Sequence, residues 1–72
     1  MKYTVIFEKT ATGYSAYVPD LPGCVTTGRT RQETARNMAE AIHGHLAMMR
    51  EEGLSIPEPT TEADVVEELL SA

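Results

Sequence analysis

The chain has 72 residues, a formal net charge of −5 and a single cysteine. A chain this short buries only about 60% of the surface its unfolded form exposes, and small scaffolds usually need a disulfide, a metal or self-association as a staple. One cysteine excludes an internal disulfide and fits a reducing compartment. The apolar run in MKYTVIFEK is too short for a secretory leader or a membrane span, so the expectation is a single cytoplasmic domain that forms a homo-oligomer, dimer or tetramer.

Residues 2–9 alternate, with Tyr3, Val5 and Phe7 on one side and Lys2, Thr4 and Glu8 on the other. That period of two predicts a strand with one buried face. Ile6 interrupts the polar side. Residues 10–13, TATG, read as a hairpin connection in which Gly13 supplies a positive φ. Residues 14–18, YSAYV, form a second strand, with Ser15 and Tyr17 on the face away from Tyr14, Ala16 and Val18. Ile6 and Tyr17 are then candidate neighbours on the outer face and candidate self-association residues.

In PDLPGCVTTGRT, residues 19–30, Pro19 and Pro22 keep their predecessors out of the helical region. Pro22-Gly23 suits the centre of a type II turn. Residues 24–28 read as a third strand. Thr30-Arg-Gln-Glu33 is a capping box, in which the Thr30 hydroxyl accepts from the Glu33 N–H and the Glu33 carboxylate reaches back to the Thr30 N–H. A helix follows over roughly 31–52. Its apolar stripe, centred on Ile42, gathers Ala35, Met38, Ala39, His45, Leu46 and Met49, flanked by Ala41 and Met48. Gly53 is a helix stop. Gly44 falls on the outer side with no evident local reason. Residues 54–59, LSIPEP, form an extended connector, and 60–72 are open between helix and strand.

Charge is unevenly divided. Residues 1–36 carry five basic and three acidic side chains, whereas residues 37–72 carry one basic and eight acidic. No cluster of Lys and Arg serves phosphate binding, which argues against direct nucleic-acid contact. The acidic half suits a basic partner, with carboxylates that only maintain solubility as the alternative.

The residues offer little for catalysis. Cys24 as a nucleophile needs a neighbouring base, and His43 and His45 are the only imidazoles; a lone cysteine behaves more often as a small buried hydrophobe. The two histidines lie about 200° apart on a helix, which does not suit metal ligation. Glu51-Glu52 and Glu67-Glu68 read as solvated pairs rather than an acid–base dyad. No phosphate-binding loop or hydrolase motif is present. The expectation is no catalytic, cofactor or metal residues and no enzyme activity.

Several motifs together carry a family resemblance. They are Gly13-Tyr14, the loop from Pro19 to Cys24, Thr30 with Glu33 and Ala35, and Gly53 followed by Ile56-Pro57-Glu58-Pro59. Over residues 1 to about 60 the chain resembles the N-terminal domain of the HicB antitoxin family, including its short HicB-like members. The resemblance implies an α+β fold of truncated ribonuclease H type: a three-stranded antiparallel sheet, one long helix on one face and a short C-terminal strand within 64–69. It also implies self-association and binding of a small basic mRNA-cleaving toxin of HicA type, whose RNA-binding surface the antitoxin masks. Full-length HicB proteins commonly add a DNA-binding domain, for which the residues after Gly53 leave no room, so none is expected here. Glu58, Glu62, Asp64, Glu67 and Glu68 are the candidate partner contacts. The competing readings are a stand-alone oligomeric module without a toxin and, further off, a residual nuclease acting through Asp20 or Glu8.

Overall fold

The structure, a computed structural model, describes residues 1–68. Three strands, β1 (Ile6–Lys9), β2 (Tyr14–Tyr17) and β3 (Val25–Gly28), precede a single helix, α1 (Arg31–Glu51). The sheet is antiparallel in the order β1-β2-β3. This is the α+β architecture the sequence predicts.

β1 is shorter than the alternating run from Lys2 to Lys9. The register pairs Ile6 with Tyr17, so Val5 and Thr4 would next face Val18 and Pro19. Pro19 has no N–H to give a ladder, and the Val18 N–H is taken by the Cys24 carbonyl at 3.1 Å. Residues 1–5 therefore continue β1 without a ladder. The β1–β2 connection closes with the Thr10 N–H on the Gly13 carbonyl at 2.9 Å. Gly13 does not adopt positive φ, contrary to expectation. Its reason is space: a Cβ there would sit 2.8 Å from Arg29 Cα.

α1 begins as its cap dictates. Thr30 is extended (φ −126°, ψ 162°), and its hydroxyl accepts from the Glu33 N–H at 3.0 Å. The Glu33 carboxylate reaches back one residue further than expected, to the Arg29 N–H at 3.3 Å. The far end is a Schellman motif. Gly53 sits at φ +70°, its N–H bonds the Arg50 carbonyl at 3.1 Å, and the Leu54 N–H bonds the Met49 carbonyl at 2.8 Å.

The core comprises Ala16, Val18, Leu21, Cys24 and Met38, with Tyr3, Val5, Phe7, Ala41, Ile42 and Leu46 packed around it. α1 lies over β3 and the central strand β2, displaced away from β1. Asn37 Nδ2 donates to the Thr27 carbonyl at 2.9 Å, and buried Thr34 satisfies its hydroxyl on the Thr30 carbonyl at 2.7 Å. The buried side of the helix is thus turned toward Thr34, Met38 and Ala41, leaving Ala39 exposed. Beyond α1, residues 54–68 contain no helix or strand. The strand expected within 64–69 is absent over 64–68, where no ladder partner lies alongside, and residue 69 lies outside the described residues.

Candidate functional site

Two consecutive turns shape the loop after β2. The Leu21 N–H bonds the Val18 carbonyl at 3.0 Å, and the Cys24 N–H bonds the Leu21 carbonyl at 3.0 Å. The second encloses Pro22-Gly23, with Gly23 at φ +84°, as a type II turn requires. Leu21 is driven into the core, while Asp20 beside it stays partly exposed.

Asp20 is the anchor of the C-terminal connector. Its Oδ2 accepts from the backbone N–H groups of Thr60 at 3.1 Å and Thr61 at 2.9 Å. Its Oδ1 accepts from their hydroxyls at 3.2 and 2.7 Å. The Thr61 backbone bond, then its hydroxyl and those of Thr60, hold the Asp20 carboxyl below its usual range, against a smaller upward push from burial. Two bonds from the other side complete the latch. The Tyr3 hydroxyl donates to the Pro57 carbonyl at 2.6 Å, and the Thr4 hydroxyl to the Thr61 carbonyl at 2.7 Å. Sequence reasoning missed this role for Asp20. The signal was a carboxylate in a turn together with Thr-Thr after Pro-Glu-Pro, which nothing local connects.

The latch fixes where the acidic tail leaves the body. Glu58, Glu62, Asp64, Glu67 and Glu68 are all exposed. Val65 and Val66 between them are 94% and 85% exposed. The structure brings the other candidate pair together: Ile6 lies directly opposite Tyr17. Tyr17 in turn faces Val25, which the sequence reading left out. Ile6, Tyr17 and Val25 form one row across the sheet face away from α1, with Tyr17 41% and Val25 66% exposed.

Of the remaining candidates, Cys24 is taken up by the core. Cys24 is buried, its thiol donates to Met38 Sδ at 3.9 Å, and burial pushes its pKa up. A nucleophilic cysteine needs the opposite shift. His43 is exposed and His45 half-buried, and Glu51 and Glu52 are exposed. Glu8 is exposed in β1 opposite Ser15. Among the described residues no three His, Cys, Asp or Glu side chains converge as metal ligands, and no helix is long and apolar enough to cross a membrane.

The described residues form a three-stranded sheet with one flanking helix, an exposed apolar row and an acidic tail pinned at Asp20. The family model for the HicB-like antitoxin of bacterial toxin–antitoxin systems matches residues 3–69, and the chain belongs to that family. It is 41% identical over 63 residues to a UPF0150 protein of Thermoplasma acidophilum, covering 86% of this chain and 91% of that one. It is 32% identical over 69 residues to antitoxin HicB 2 of Photorhabdus laumondii, covering 96% of this chain but only 50% of that protein. Among solved structures it matches a chain of the HicA3 and HicB3 toxin–antitoxin complex with a TM-score of 0.72 and 32% identity, over 83% of this chain and 70% of that one.

Proposed function

We propose that this protein is an antitoxin that acts by binding, not by catalysis: it covers the RNA-binding surface of a small basic toxin of HicA type. The observation that carries this reading is the likeness, in both fold and sequence, to a chain of the HicA3 and HicB3 complex. The acidic C-terminal half supports it. Exposed carboxylates at Glu58, Glu62, Asp64, Glu67 and Glu68 attract a basic surface and raise the association rate more than the affinity. The latch at Asp20 gives the charges after it, Glu62 to Glu68, a fixed point of departure. The row formed by Ile6, Tyr17 and Val25 is the proposed self-association face, which presents more than one acidic tail per assembly.

The test is titration of the purified protein with a HicA-type toxin from the same genome, at low and high ionic strength. Binding at low salt that inhibits RNA cleavage is expected. Changing Glu62, Glu67 and Glu68 to Gln and Asp64 to Asn should slow association about tenfold or more. No complex at low ionic strength would refute the antitoxin reading.

A further inference from the structure

Three segments meet at the end of the sheet opposite the Asp20 latch: the β1–β2 hairpin, the end of β3 and the first turn of α1. Two glycines allow the approach. A Cβ at Gly13 would lie 2.8 Å from Arg29 Cα, and one at Gly28 would lie 2.8 Å from the Thr34 backbone nitrogen. Between the segments lies a recess of about 530 Å³, with Thr10, Thr12, Tyr14, Thr27, Arg29 and Glu33 in its lining. That volume falls within the range of small-molecule sites, about 300–1,000 Å³.

The lining residues bring hydroxyls, a guanidinium, a carboxylate and a phenol ring. The register adds a second cation. Lys9 lies directly opposite Tyr14, so both project from one sheet face, the face that carries Ala16 and Val18 into the core. Lys9 and Arg29 come from distant parts of the sequence, so no basic cluster is legible there. Glu33 holds Arg29 through the Arg29 backbone N–H at 3.3 Å, a bond that does not use the guanidinium. The helix amides are not the source of attraction, since the Thr30 hydroxyl already takes the Glu33 N–H at 3.0 Å.

Two cations among hydroxyls attract a phosphate. One phosphate does not need the basic stripe that a nucleic-acid backbone requires. The half-buried Glu33 carboxylate repels a bare phosphate and favours a ligand that carries a hydroxyl or amino donor beside its phosphate. The ring of half-buried Tyr14 offers a stacking surface to a base. We propose that this recess binds a nucleoside monophosphate: the phosphate on Arg29 and Lys9, the base against Tyr14, and a sugar or base donor on Glu33. The site lies at the other end of the sheet from the departure of the acidic tail. It needs no toxin and stands or falls independently of the antitoxin reading.

The test is titration of the full ¹⁵N-labelled chain with adenosine monophosphate, adenosine and inorganic phosphate, followed by amide shifts. Adenosine monophosphate should give saturable shifts centred on Thr10, Thr12, Tyr14, Gly28 and Arg29. Its midpoint should lie about tenfold or more below that of adenosine or of inorganic phosphate. Arg29→Ala should raise that midpoint about tenfold or more, and Arg29→Lys should recover part of the loss. Arg29→Gln takes its place should Arg29→Ala fail to fold. Arg36→Ala, an exposed cation of α1 outside the recess, should leave the midpoint unchanged. Glu33→Gln keeps an acceptor for the Arg29 N–H and should narrow the gap between inorganic phosphate and the nucleotide. Inorganic phosphate or adenosine binding as tightly as the nucleotide overturns the proposal. So do shifts that fail to saturate, and an Arg29→Ala chain that binds the nucleotide as the wild type does.

Discussion

Asp20 ties together two parts of the chain that are forty residues apart. Its carboxylate takes hydrogen bonds from four donors, and an amide in its place keeps only one accepting oxygen. Asp20→Asn should therefore loosen the connector while leaving sheet and helix formed. Faster amide exchange at Thr60 and Thr61, with β2 and β3 unchanged, is the expected result; equal exchange in the two proteins would contradict the latch. The pH dependence has a definite sign. The folded pKa of Asp20 is lowered, so its contribution is full above the ordinary aspartate pKa of about 4 and is lost as pH falls through the lower folded value. Wild type should match Asp20→Asn at Thr60 and Thr61 only in strong acid, and differ from it near neutrality.

At the scale of elements, what was legible in the sequence was what local rules control. Alternation located β1 and β2, β-branched residues located β3, the Thr30 cap and Gly53 bounded α1, and Pro22-Gly23 gave the turn. What was hidden depended on contacts distant in sequence. β1 shortened because its partner strand ends at a proline. The apolar stripe of α1 predicted a buried face but not its rotation toward Thr34 and Ala41, because a buried threonine reads as polar until its hydroxyl is seen on the Thr30 carbonyl. The outer row was half visible, since Val25 joins Ile6 and Tyr17 only through the register of two strand pairs. Gly44 remains an element-scale anomaly: a Cβ there would meet nothing within 4 Å. Gly44→Ala should raise the stability of the isolated chain by about 1 kcal/mol, read as a higher midpoint in urea. A lower midpoint would mean that another copy packs against the helix at this point.

For the whole molecule, the decisive quantity is the size of the core. Among the described residues five apolar side chains are buried, and the large exposed ones include Tyr17 and Val25 on the open face of the sheet. Burying a side chain of this kind contributes roughly 1.5–3 kcal/mol, a large share of the few kcal/mol that a core of this size supplies. Self-association through the outer row would therefore appear as folding stability, not only as a change in mass. Because an associated state gains from mass action, the melting temperature of the wild type should rise with protein concentration. Tyr17→Glu places a charge at the centre of the row, at a position already partly exposed in the single chain, so it should tolerate folding while opposing association. The expected outcome is a lower melting temperature that no longer depends on concentration, together with monomer mass in sedimentation. A wild-type melting temperature constant over a hundredfold range of concentration, with monomer mass throughout, would rule out this face as the staple. The stability of the chain would then have to come from its own small core and the Asp20 latch alone.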